Sequence, residues 1–107
     1  MGFFDILGAG NINKAVEECR STQGALLVDV RTPDEYAGGH IPGAVSIPLP
    51  LIEAIEDRVQ DKDTPMYLYC LSGSRAGYAA QAMRRMGYTK VKNIGGIKGY
   101  KGEKELD

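Results

Sequence analysis

The residues able to do chemistry cluster in Cys70-Leu71-Ser72-Gly73-Ser74-Arg75. The run Met66 to Tyr69 is apolar and aromatic, which suits a buried strand, and it ends at Cys70. From Ala76 onward, apolar residues recur at Ala76, Ala79, Ala80 and Met83, which is helical spacing. The sequence therefore predicts strand, short loop of small residues, helix. A thiol at that strand end faces a helix N-terminus. There the first amides have no intrahelical partner and the dipole favours negative charge. Arg75 adds a full positive charge. All three effects favour thiolate over thiol. The prediction is a nucleophilic cysteine in an anion-cradling loop. The alternative is a strand-end cysteine that only packs, since unpaired cysteines are among the most buried residues. The small-residue loop and an arginine five positions later favour the nucleophile.

The elements that must position this loop can be read in order. Asn11 and Asn13 are candidate N-caps for a helix over Lys14 to Arg20, with Ala15, Val16 and Cys19 on one face. Cys19 reads as core; a role as resolving thiol requires it to approach Cys70. Ala25 to Val30 is a nearly continuous apolar strand, as in a parallel sheet covered on both faces. Asp29 interrupts it near its end. A buried acid is costly unless bonded, so Asp29 is predicted to accept N–H bonds that fix the next loop; a catalytic acid is the lesser reading. Thr32 caps a short helical turn with Pro33 at its first position, and Arg31 is placed to pair with Glu35. Gly38 to Ala44 is rich in turn formers, and His40 within it, the chain's single histidine, reads as scaffold rather than catalyst. Val45 to Ile47 is a short strand, and Leu49 to Val59 has helical spacing. Gly87 ends the helix after the cysteine loop. Val91 to Ile94 is a last strand, followed by Gly95-Gly96 and a short closing helix or coil. Strands alternating with helices predict an α/β domain with a mainly parallel sheet, whose sites lie at the carboxyl ends of strands. Asp29 and Cys70 both fall at such ends.

Composition excludes some classes. The 107 residues suffice for one domain, and 43% hydrophobic with 25% charged residues is ordinary for a globular protein. We read a single domain with its core at about 11–100, an extension at 1–10 and a charged, frayed tail at 101–107. No apolar run is long enough for a membrane span. The apolar start at Phe3, Phe4, Ile6 and Leu7 lacks a basic lead and a cleavage pattern, so the cytoplasm is the expected address. That stretch is expected to pack onto the domain, with a membrane-surface foot as the sharper alternative. Two cysteines give no disulfide framework. A net charge of −1 gives no case for nucleic acid. Its distribution is uneven: residues 1–69 hold five Lys/Arg and eleven Asp/Glu, and residues 70–107 hold eight and three. The basic second half suits an anionic substrate or an acidic protein partner, and equally a solvated face.

Three stretches carry a family resemblance. Leu27-Val28-Asp29-Val30-Arg31 with Glu35-Tyr36 and Gly39-His40-Ile41-Pro42-Gly43-Ala44 is one; the loop from Cys70 to Arg75 is the second; Gly95-Gly96 is the third. Together they resemble the single-domain rhodaneses, a family of sulfurtransferases. The resemblance implies a three-layer α/β/α fold with a five-stranded, mainly parallel sheet. It implies that Cys70 takes a sulfane sulfur from thiosulfate, a persulfide or a polysulfide and holds it as a persulfide. The loop amides of Leu71, Ser72, Gly73, Ser74 and Arg75 would cradle the terminal sulfur. Cyanide, a thiol or a protein acceptor would then remove it, with no cofactor and no metal. By the same resemblance Asp29, Arg31, Glu35 and His40 support the neighbouring loop without doing chemistry.

Two departures bear on the donor. Many thiosulfate-using relatives have a basic residue after the cysteine, here Leu71, and often a Ser or Thr after the loop arginine, here Ala76. The expectation is weak recognition of the thiosulfate dianion and better use of a persulfide or polysulfide. A phosphatase of the same fold is disfavoured, because such enzymes place the arginine six positions after the cysteine. A non-catalytic binding or sulfur-delivery module is the other alternative, against which the cysteine itself argues.

Overall fold

The computed structural model describes residues 11–107, so the apolar stretch Phe3–Leu7 lies outside the described residues. Helix α1 spans Ile12–Ser21, and Asn11 caps it by accepting the Lys14 amide through its side chain. Asn13, the other candidate cap, does something else. Its side chain donates to the Gly99 carbonyl (3.0 Å) and accepts the Lys101 amide (2.8 Å), tying the end of the chain to α1. Strand β1 is Leu26–Asp29, and α2 is the five-residue turn Pro33–Ala37. Thr32 and Glu35 form a reciprocal capping box at its start. Strand β2 is only Val45–Ser46.

The helical spacing at Leu49 to Val59 does not give one helix. The chain makes a 3-10 segment, Leu49–Ala54, and then a single α turn, α3, Ile55–Arg58. Pro50 has no amide to donate, and Leu51 leaves helical geometry (φ −111°, ψ 21°). Ile52 and Ile55 still reach the core, which is what the spacing reported. Strand β3, Met66–Cys70, is buried along its whole length, and α4 is Ser74–Arg85. Gly87, at φ 104°, ends α4 with the amides of Gly87 and Tyr88 bonded back to Arg84 and Met83, as predicted for a glycine beyond a helix end. Strand β4, Val91–Gly96, runs into a 3-10 turn, Ile97–Gly99.

The described sheet has four strands in the order β2-β1-β3-β4, all parallel, where five were expected. Between α2 and β2 the turn formers Gly38, Gly39, Pro42 and Gly43 make the crossing segment predicted from the sequence. What forms there is a lone antiparallel bridge between His40 and Glu105. That bridge corrects the reading of a frayed tail. The backbones of His40 and Glu105 exchange two hydrogen bonds (2.9 and 2.8 Å), and the Asp107 amide reaches the Ala37 carbonyl.

Alternation along the strands divides the core in two. Val28, Met66, Leu68 and Cys70 face α4 and the Ile52–Ile55 segment. Leu27, Tyr67 and Tyr69 face α1 with Ile12, Val16 and Cys19. Helices cover both faces of the sheet, which is the α/β layering predicted from the pattern. The carboxyl ends of β1 and β3 lie side by side, with Asp29 in register with Tyr69.

Candidate active site

Cys70 is the last residue of β3, and its thiol is covered, with 1% of the residue exposed. Its Sγ accepts the Gly73 amide at 2.9 Å. Gly73 adopts φ 110° and is the N-cap of α4, so the chain turns from strand to helix within three residues. The open amides of the first turn of α4 thus lie beside the sulfur. Leu71, Ser72 and Ser74 are exposed and Arg75 is half-buried.

Strand β4 holds this loop from behind. Gly96 lies in register with Cys70, across an irregularity in the β3–β4 pairing. A Cβ on Gly96 would collide with the Leu71 carbonyl and with Ser72. The Lys98 amide donates to that same Leu71 carbonyl (3.2 Å). Gly95, at φ 101°, packs against Gly73, whose own Cβ position would lie 3.5 Å from the Gly95 Cα. Gly96 is therefore a steric requirement of the cysteine loop, and Gly95 a conformational one through its positive φ.

The facing loop is held by charge. Asp29 is fully buried and accepts the Arg31 amide (2.9 Å) together with its guanidinium, the shortest contact being 2.7 Å. Arg31 also donates to the Gly39 carbonyl (2.7 Å), so Asp29 fixes the following loop as predicted. The Tyr69 hydroxyl accepts the Ile41 amide (3.0 Å), and burial pushes this phenol far above its ordinary pKa. His40 is buried, stacks on Tyr36 at 3.7 Å, and places Nδ1 2.9 Å from the Tyr36 carbonyl and Nε2 3.7 Å from Glu105. These contacts link α2 to Glu105.

Glu35 does not pair with Arg31. It meets Arg75 from the cysteine loop in a two-pronged ion pair of 2.7 and 3.1 Å. Arg31 precedes the Thr32 cap, so it does not share a helix face with Glu35 and turns back to Asp29 instead. The Arg75 guanidinium, helped by Thr32 against the effect of burial, holds the Glu35 carboxylate down to about 2. The one loop cation near the thiol is thereby already matched by an anion.

Cys19 lies in the α1 cluster, across the sheet from Cys70, and burial pushes its thiol up to about 11. The structure does not bring the two cysteines together. Asn93 was not singled out from the sequence, yet its side chain bonds both Gly73 and Gly95. The available signal was a carboxamide in a strand, where asparagine is depleted. Among the described residues no group of His, Cys, Asp and Glu side chains could hold a metal ion, and no described helix is long and apolar enough to cross a membrane.

A strand-end thiol under a glycine-turned helix N-terminus, with a charged wall beside it, defines a class, and comparison with known proteins gives the same one. Residues 12–103 match the rhodanese-like domain family model. The chain is 42% identical over 72 residues to the thiosulfate sulfurtransferase PspE of Escherichia coli (strain K12), covering 66% of this chain and 69% of that protein. It is 44% identical over 80 residues to the uncharacterized protein YqhL of Bacillus subtilis (strain 168), covering 74% of this chain and 63% of that one. Among solved structures, a rhodanese with anions from E. coli superposes with a TM-score of 0.72 at 37% identity, covering 78% of this chain and 99% of that one. The chain belongs to the rhodanese-like domain family.

Proposed function

We propose that the chain is a sulfurtransferase that carries a sulfane sulfur as a persulfide on Cys70. The observation that carries this reading is the 2.9 Å bond from the Gly73 amide to the Cys70 sulfur, at the start of a loop that closes onto a helix N-terminus. In the first step the Cys70 thiolate attacks the outer sulfur of the donor. The donor S–S bond breaks, and its electron pair leaves with sulfite, a thiolate or a shortened polysulfide. The product anion, Cys70–S–S⁻, lies among the amides of Leu71 to Arg75. In the second step cyanide, a small thiolate or a protein thiolate attacks the terminal sulfur, and Cys70 departs as thiolate. Both nucleophiles react as anions, so no general base is needed. Asp29, Arg31, Glu35 and His40 shape the facing loop.

Among donors we assign persulfides and polysulfides ahead of thiosulfate. Leu71 adds no charge to the loop, Ala76 no hydroxyl, and Glu35 already engages Arg75. The name of the E. coli relative supports the second reading, thiosulfate as donor.

Intact-mass measurement after exposure to polysulfide or thiosulfate tests the first claim. A gain of one sulfur atom that is absent in Cys70→Ser is the expected result; no adduct with any donor overturns it in favour of a binding module. The ratio of kcat/KM for a small persulfide to that for thiosulfate tests the second, and a clear thiosulfate preference reverses it.

A further inference from the structure

Asn93 lies on β4, in register with Leu68, and its carboxamide spans two glycines. Its Nδ2 donates to the Gly73 carbonyl (3.0 Å), and its Oδ1 accepts the Gly95 amide (2.9 Å). Both glycines are left-handed, at φ 110° and 101°, and they pack against one another. A third glycine lies against the same side chain. Gly77 is inside α4, where glycine costs about 1 kcal/mol relative to alanine, and a Cβ there would come to 3.5 Å from Asn93 Nδ2. The Gly77 amide shares the Gly73 carbonyl with Asn93 (3.0 Å).

The carbonyl and the following amide of one trans peptide point in opposite directions. Fixing the Gly73 carbonyl toward β4 therefore turns the Ser74 amide away from β4, toward the open start of α4. Holding Gly73 also holds its own amide, which meets the Cys70 sulfur. We propose that Asn93 is the positioning residue of the sulfur cradle. It touches neither thiol nor donor; it sets the direction of the amides that stabilise charge on the sulfur bound to Cys70. The inference rests on the persulfide reading above.

Only a side chain with a donor and an acceptor side by side can make both bonds. Aspartate has the same shape but, when ionised, offers two acceptors and opposes the Gly73 carbonyl. Protonated, it regains a donor. This gives a readout that separates positioning of charge from mere filling of space. The rate of persulfide formation on the full chain is followed by mass for wild type, Asn93→Ala and Asn93→Asp, with Tm measured alongside. We expect about a tenfold loss of rate in both variants at neutral pH, less than the roughly hundredfold or more that outright removal of an anion-binding donor costs, because the amides are misdirected and not removed. Asn93→Asp should approach the wild-type rate, measured at the same pH, as the solution is acidified through the carboxyl range, and Asn93→Ala should not. If Asn93→Ala is too unstable to assay, the pH series on Asn93→Asp decides alone. Wild-type rates at neutral pH in a folded Asn93→Asp overturn the inference, as does a deficit that acid leaves unchanged. No adduct on wild type overturns the persulfide reading and this inference with it.

Discussion

The two loops that meet at Cys70 are held in place by different physics. The cysteine loop is fixed by uncharged groups: Gly96 against the Leu71 carbonyl, the Lys98 amide on that same carbonyl, and the Asn93 side chain on Gly73. The facing loop is fixed by charge: Asp29 with Arg31 in the interior, and Glu35 reaching across to Arg75. The difference separates two tasks. Under the persulfide proposal, the loop that receives an anion presents amides that need not rearrange, and its one cation, Arg75, is already paired with Glu35. The wall can use ion pairs because nothing is transferred there.

Breaking each side should therefore fail differently. Asp29→Ala should have the largest effect on stability, about 3–5 kcal/mol, because it leaves Arg31 buried with only the Gly39 carbonyl. Denaturant unfolding checks this, and a cost below about 1 kcal/mol would dissolve the contrast between the loops. Gly96→Ala should cost less stability, about 1–3 kcal/mol, yet remove most sulfur transfer, because its Cβ displaces Leu71 and Ser72. Comparing Tm with the rate of adduct formation separates the two losses.

Glu35→Gln sharpens the comparison, because Glu35 joins the charged wall to Arg75 of the cysteine loop. The pair is about one-third exposed on each side, so its loss should cost under about 1 kcal/mol. Its functional effect should be specific: a several-fold rise in kcat/KM for thiosulfate with little change for a persulfide, as Arg75 is released. Equal changes for both donors would remove Glu35 from donor selection. The acid side gives the same term by titration. Folding lowers the Glu35 pKa from an ordinary 4.5 to about 2. Its stabilising contribution is therefore complete above pH 4.5 and is lost as pH falls toward 2. The stability difference between wild type and Glu35→Gln should shrink over that window.

The pattern of the sequence exposed some of these features and concealed others for a physical reason. Cys70, the β3 run and the glycine turn are local, and periodicity with turn chemistry reveals them. Asp29 was legible because an acid inside an apolar strand has few ways to be satisfied. Glu35 was read against Arg31, four positions away, whereas its partner is forty residues along the chain. Asn93 and its Gly73 partner are twenty apart, and Glu105 meets His40 from the far end of the chain. Proximity made by folding leaves no periodic trace. The fifth strand was an expectation of the family, and the described residues form four.

The cover over Cys70 has a consequence for reagents rather than for residues. A thiol with 1% of its residue exposed is screened from bulky alkylating agents and from encounter with large disulfides. The cover is therefore expected to favour slender molecules that approach end-on, with the reactive sulfur at the tip, over branched ones; comparing Cys70 alkylation by a small and a bulky reagent checks this. Girth at the leading atom thus becomes a criterion of admission in addition to charge. Under the proposed function, the same cover would shelter a sulfur held on Cys70 from stray oxidants.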